Sequence, residues 1–187
     1  MDFSDQVAII TGSSSGIGAE AAIAMGSGGA KIIVNYSKSG DAADAVVAAC
    51  EEAGGEAIAV GADVSDDAAC HTLVEAAMDK WGRIDILVNN AGTTKFMDHA
   101  NLDGLDKTDF ETIYALNTIA PYQMVRAAQP HLKNCGAGSV VNISSVAGVR
   151  GIGSSVAYAA SKGALNTMTM ALARALGEDN IRVNAVC

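Results

Sequence analysis

Lysine and arginine never stand side by side in this chain, and Asp and Glu outnumber them 21 to 12, leaving a net charge of −9. That pattern lacks the electrostatic footprint of a nucleic-acid or anionic-lipid binder. No apolar run is long enough to cross a bilayer, and the opening residues Met1-Asp-Phe-Ser-Asp-Gln6 lack the basic start and apolar stretch of a secretion signal. Cysteine occurs four times, at Cys50, Cys70, Cys135 and Cys187. These are too widely spaced for a C-x-x-C redox or zinc pattern or for a small disulfide scaffold. They read as reduced thiols in a soluble, cytoplasmic protein without a membrane partner. His71, His99 and His131 never pair with one another at helical spacing, so no metal site is expected. Repeats, linkers and low-complexity stretches are also missing.

What remains is a chain of 187 residues, half of them hydrophobic, enough for one domain with a sizeable core spanning residues 1–187. Short apolar, β-prone runs alternate with longer Ala-rich segments of helical period. The strand candidates are 7–10, 31–35, 57–60, 84–88, 139–143 and 181–185, and helices are expected over 17–25 and 156–176. The strand runs are almost continuously apolar, as strands buried on both faces are. An α/β fold follows, with a mostly parallel, doubly wound sheet between two helical layers. Residues 93–107 are polar and irregular, and read as an exposed loop after the fourth strand. The segments 107–133 and 156–176 are apolar on more than one face, which suggests packing against both the sheet and a second subunit.

Gly12, Gly16 and Gly18 fall where the first strand would end and the first helix begin. Such a turn lets backbone approach a pyrophosphate and places it at a helix N-terminus. Far along the chain, Tyr158 and Lys162 stand one turn apart on one helical face, where an ammonium can act on a phenol. A phenol ordinarily titrates near pKa 10, and each unit of lowering corresponds to about 1.4 kcal/mol of preference for the phenolate. Either residue alone would read as a surface group, and Ser144-Ser145 alone as a turn.

Six motifs change that reading when taken in order: Thr11-Gly-Ser-Ser-Ser-Gly-Ile-Gly18, Asp63-Val64, Asn89-Asn-Ala-Gly92, Asn117, Val141-Asn-Ile-Ser-Ser145 and Tyr158-Ala-Ala-Ser-Lys162. Together they resemble the short-chain dehydrogenase/reductase family, in its compact Rossmann branch. The resemblance implies hydride transfer between a nicotinamide and a carbonyl or secondary alcohol, with Tyr158 as general acid or base. It gives Lys162 two roles, lowering the phenol's pKa and binding the nicotinamide ribose. It assigns Ser145, rather than Ser144, to the substrate oxygen, and Asn117 to a water that links Lys162 to solvent. The cofactor contacts it implies are Gly12, Ser13, Ser14, Ser15, Gly16, Ile17, Gly18, Asp63, Val64, Asn90, Ala91 and Gly92, with Tyr158 and Lys162. It also implies a homodimer or homotetramer.

An NAD enzyme of this type carries an acidic residue at the end of its second strand to accept from the adenosine ribose. Here that position is Tyr36, followed by Ser37, Lys38 and Ser39, with no carboxylate before Asp41. Ser37 and Lys38 suit a 2′-phosphate, so NADP(H) is expected and NAD(H) is the alternative. The chain ends at Cys187, where the resemblance would continue into a substrate-covering lid and a seventh strand. Their absence is expected to open the substrate side of the site to water. The competing reading is a dinucleotide-binding protein without turnover.

Overall fold

The computed structural model describes residues 2–187. Six parallel strands form one sheet: β1 (Val7–Ile10), β2 (Lys31–Tyr36), β3 (Glu56–Gly61), β4 (Ile86–Asn89), β5 (Ser139–Ile143) and β6 (Arg182–Val186). Their order across the sheet is β3-β2-β1-β4-β5-β6. Helices α1 (Gly16–Gly26) and α2 (Gly40–Glu52) cover one face. On the other lie α3 (Asp67–Trp81), α5 (Ala120–Asn134) and α7 (Val156–Leu176). Two shorter helices, α4 (Lys107–Tyr114) and α6 (Ala147–Arg150), complete the set. This is the doubly wound Rossmann arrangement.

Strand β1 shows why the sheet forms where it does. All four of its residues are fully buried. Side chains alternate along a strand, so Val7 and Ile9 enter the core beneath α3 and α5, while Ala8 and Ile10 enter the core beneath α1 and α2. A central parallel strand must therefore be apolar at every position. Full burial of each large aliphatic side chain contributes roughly 1.5–3 kcal/mol.

The fourth strand begins at Ile86 rather than at 84. Asp85 precedes it because its carboxylate accepts the Val7 N–H at 2.9 Å and is held by the Arg83 guanidinium at 2.6 Å. The sixth strand runs one residue later than expected, 182–186. The segment 107–133 is not one uniform helix: a π-helical turn, Ala115–Ile119, joins α4 to α5. The loop from 93 onward carries a 3₁₀ turn at Leu102–Gly104 before α4 starts under an Asp106–Asp109 capping box.

Strand order reverses between β1 and β4, which are neighbours. The crevice at the carboxyl ends of these strands is where an open α/β sheet binds its ligands. The glycine turn after β1 and the Asn89–Gly92 segment after β4 both leave the sheet there.

Candidate active site

The two turns interlock through side chains. Thr11 Oγ1 accepts the backbone N–H groups of Asn90 and Ala91, each at 3.0 Å. Asn90 Nδ2 returns two bonds, to the carbonyls of Thr11 at 2.9 Å and Gly12 at 3.0 Å. A Cβ on Gly12 would stand 2.9 Å from Ala91 Cα, and one on Gly18 would stand 2.5 Å from Asn90 Nδ2 and 2.9 Å from the Gly12 carbonyl. Glycine at these two positions is what lets the turns touch. Helix α1 starts immediately beyond, and its N-cap Ser15 makes no side-chain capping bond. The first N–H groups of α1 thus remain donors for an anion.

Asn35, at the end of β2, is the residue that sequence reasoning missed. Its Oδ1 accepts the Gly12 N–H at 3.0 Å, and its Nδ2 donates to the Ala62 carbonyl at 2.9 Å. Ser13 faces the same way: fully buried, its hydroxyl donates to the Ile10 carbonyl at 2.7 Å and accepts the Asn35 N–H at 3.0 Å. The Ser13 side chain therefore braces β2 from behind the turn. The one advance signal for Asn35 was a polar residue directly after the apolar run Ile32-Ile-Val34.

At the other end, α7 opens with Ser155 accepting the Tyr158 N–H at 3.2 Å. The Lys162 ammonium sits 5.9 Å from the centroid of the Tyr158 ring. It donates to the Ile143 carbonyl at the end of β5, at 2.7 Å. Lys162 is only 4% exposed, and burial pushes its pKa down from the usual 10.5 to about 8.

The surroundings of α7 hold this pair in place. Ser144 Oγ donates to the Lys162 carbonyl at 3.3 Å. Asn142 Nδ2 donates to Thr169 Oγ1 at 2.9 Å and its Oδ1 accepts from Asn89 Nδ2 at the same distance, a buried polar chain from α7 through β5 to β4. Asn117 is fully buried in the π-helical turn; its amide donates to Ser161 Oγ at 3.0 Å and to the Thr93 carbonyl at 2.9 Å. Ser145 differs from its neighbour: its Oγ accepts the Ala147 N–H at 3.1 Å, leaving its own proton unassigned.

One cleft of about 950 Å³ joins the two ends. Its wall includes the expected Gly12, Ser14, Ser15, Ile17, Ser37, Lys38, Val64, Asn90, Ala91, Gly92, Tyr158 and Lys162. It also includes Phe96, from the loop after β4, and Asn35, Thr94, Ser144 and Ser154, which were not singled out for it. Ser13, Gly16, Gly18, Asp63, Asn117 and Ser145 lie outside that wall. Asp63 instead accepts from the Ser65 hydroxyl at 2.7 Å and backbone N–H at 3.1 Å, bonds that hold its carboxyl below the usual carboxylate range. The cap of α3 is Asp66, which accepts the Ala68 N–H at 3.1 Å. Among the described residues no group of three His, Cys, Asp or Glu side chains gathers for a metal, and no helix is long and apolar enough to cross a membrane.

Comparison with known proteins places this arrangement. A ketoacyl reductase assigned to granaticin polyketide synthase in Streptomyces violaceoruber is 43% identical over 180 residues, 96% of this chain and 70% of the relative. The 3-oxoacyl-[acyl-carrier-protein] reductase of Synechocystis sp. is 38% identical over 181 residues, 97% of this chain and 72% of that protein. A crystal structure from Burkholderia xenovorans, assigned to the short-chain dehydrogenases/reductases, superposes with a TM-score of 0.94 at 46% identity, covering 96% of this chain and 75% of the other. The family model for short chain dehydrogenase matches residues 6–187, taking in the glycine turn, the Asn89–Gly92 segment and the Tyr158–Lys162 helix alike. With motifs, topology and close relatives in agreement, the chain belongs to the short-chain dehydrogenase family.

Proposed function

We propose that this chain is an NADP(H)-dependent oxidoreductase acting on a carbonyl or secondary alcohol, with Tyr158 as general acid and base. The observation that carries the reading is the buried Lys162 ammonium beside Tyr158, in the same cleft as the glycine turn of α1. A dinucleotide suits that cleft. Gly12 lines it, and the close approach of the two turns that Gly12 and Gly18 permit shapes that end of the cleft, while the uncapped start of α1 offers N–H groups to a pyrophosphate. Ser37 and Lys38 line the end beyond β2, and none of Tyr36, Ser37, Lys38 or Ser39 is a carboxylate that would repel a 2′-phosphate. When bound, the nicotinamide supplies or accepts the hydride.

The chain's own residues handle the proton. In reduction, the Tyr158 hydroxyl donates to the substrate oxygen as charge develops on it. Ser145 supports the same oxygen: its Oγ already accepts the Ala147 N–H, so its O–H is free to donate. Lys162 favours the phenolate left behind, and a water held at Asn117 returns the proton from solvent. The two named relatives are reductases of ketoacyl groups, which supports the reductive direction and makes 3-oxoacyl thioesters and ring ketones the first substrates to try. Assembly into a homodimer or homotetramer through α4, α5 and α7 belongs to this reading, since Phe110, Ile119, Tyr122 and Met170 present apolar surface there.

The test is titration with NADPH and NADH followed by turnover on 3-oxoacyl thioesters, aromatic ketones and sugars. Tyr158→Phe should lower kcat at least a hundredfold with dinucleotide affinity kept. Binding without turnover across that panel would leave a dinucleotide-binding protein instead.

A further inference from the structure

Helix α6 is a single turn, yet it carries the serine end of the site. The Ala147 N–H donates to Ser145 Oγ at 3.1 Å, and the Gly148 N–H donates to the Ser145 carbonyl at 3.0 Å. Where this turn lies therefore decides where the Ser145 hydroxyl lies. Tyr158 and Lys162 belong to α7, so the separation of serine and tyrosine depends on how α6 sits against α7.

That seat is made of backbone. A Cβ on Gly148 would stand 2.5 Å from the Lys162 carbonyl carbon, 2.7 Å from the Gly163 nitrogen and 2.8 Å from the Lys162 carbonyl oxygen. From the opposite side, a Cβ on Gly163 would meet the Gly148 carbonyl oxygen at 3.3 Å. Neither glycine has a positive φ, so what a side chain lacks here is space and not an allowed backbone conformation. The contact falls on the peptide joining Lys162 to Gly163, whose carbonyl also accepts from Ser144 Oγ at 3.3 Å.

Carbon atoms in contact settle about 3.5–4.0 Å apart, so a single methyl at 148 must drive the two elements apart by roughly 1 Å. The firmer hold is that of α7, which is 21 residues long and is bonded to Asn117 through Ser161 and to Asn142 through Thr169. By contrast, α6 has 4 residues. The shorter element gives way and takes Ser145 with it.

We infer that Gly148 is a positioning residue, and that its bare backbone contact with Lys162 and Gly163 sets the separation of Ser145 from Tyr158. The inference rests on the roles proposed above for those two side chains. Its test compares Gly148→Ala, Gly163→Ala and Gly177→Ala, the last at an exposed glycine with nothing within 4 Å of its Cβ position. Each is made in the parent and in Ser145→Ala, and assayed on the ketone or thioester of the panel above that the parent turns over fastest. In the parent, Gly148→Ala should lower kcat about thirtyfold and Gly163→Ala about threefold, with KM and NADPH affinity within about twofold. In the Ser145→Ala background both should change kcat by less than about twofold, because the group they displace is already gone. Gly177→Ala should keep the kcat of either background. A general loosening of the fold would act alike in both backgrounds, so equal losses overturn the inference, as does a parent-like kcat in Gly148→Ala. If Gly148→Ala does not fold, Gly163→Ala runs the same cycle. Crystal structures of the parent and the two variants read the geometry without turnover: Ser145 Oγ and Tyr158 Oη should part by roughly 1 Å in Gly148→Ala and by a few tenths of that in Gly163→Ala. An unchanged separation overturns the inference. Should the parent turn over no substrate, the oxidoreductase reading fails, and the crystal structures alone decide the role of Gly148.

Discussion

Asn35 Oδ1 accepts the backbone N–H of Gly12 at 3.0 Å, joining the end of β2 to the turn that leaves β1. The amide of Asn35 also reaches the Ala62 carbonyl at 2.9 Å, so one side chain ties together the exits of three strands. Asn35→Ala strands a donor and an acceptor, each worth about 1–3 kcal/mol when left unpaired. We expect a loss of about 2–4 kcal/mol in urea denaturation and at least tenfold weaker NADPH binding by calorimetry. Unchanged affinity would show that the turn holds its shape without β2.

Cofactor preference should follow the two residues after Tyr36. Losing a charge-assisted bond to phosphate removes about 1.5–3 kcal/mol. Lys38→Ala with Ser37→Ala is therefore expected to weaken NADP binding at least tenfold while NAD binding stays within threefold. Equal losses for both dinucleotides in parallel titrations would sink the 2′-phosphate assignment.

The adjacent serines should separate kinetically. Ser145→Ala is expected to lower kcat about a hundredfold, the scale of losing one donor to a developing oxyanion. Ser144 spends its hydroxyl on the Lys162 carbonyl. Ser144→Ala is expected to cost about 1 kcal/mol of stability and to change kcat by only a few-fold. Steady-state kinetics and thermal melts on both variants distinguish the two serines, and reversed effects would exchange their assignments.

Burial pushes the Lys162 pKa from the usual 10.5 down to about 8, so between those values the unfolded chain binds the proton more readily than the folded one. Stability contributed by this residue is therefore least below pH 8 and rises as the pH climbs toward 10.5. At about 1.4 kcal/mol per pH unit, the change from pH 7 to pH 10 amounts to roughly 2–3 kcal/mol. Denaturation of the parent and Lys162→Met at both pH values should show the parent gaining that much relative to the variant. A constant difference would mean that Lys162 keeps an ordinary pKa. Lys162→Met should also abolish most turnover at either pH.

Much of the architecture was legible because burial writes itself into residue type. β1 and α7 emerged with their observed bounds, since a central strand is apolar at every position and α7 repeats small and apolar residues at helical spacing. β4 was drawn two residues early because Ile84 and Asp85 continue the pattern, and only the Arg83 pair and the Val7 bond reveal why Asp85 precedes the strand. Tyr158, Lys162 and the glycine turn were found by spacing, and they share one cleft. Asn35 escaped because its partners are backbone groups remote in sequence. Ser13 was grouped with the turn it belongs to, yet its side chain faces inward, a direction set by the turn's three-dimensional course. The π-helical turn left no mark, because residues 107–133 read as one long apolar segment whose pattern runs on through Ala115–Ile119.

Side-chain bonds fasten α7 along its length, among them Asn117 to Ser161, Ser144 to the Lys162 carbonyl and Asn142 to Thr169. A single residue inserted between Lys162 and Thr169 would turn one anchor about 100° away from the other. Residues 98–105 can lengthen or shorten without such a conflict, because they lie between Met97, whose N–H is bonded to the Ser154 carbonyl, and the Asp106 cap of α4, and are under no helical phase. The family's diversity has room to accumulate in that loop, while the reach from Tyr158 to Thr169 is counted out residue by residue.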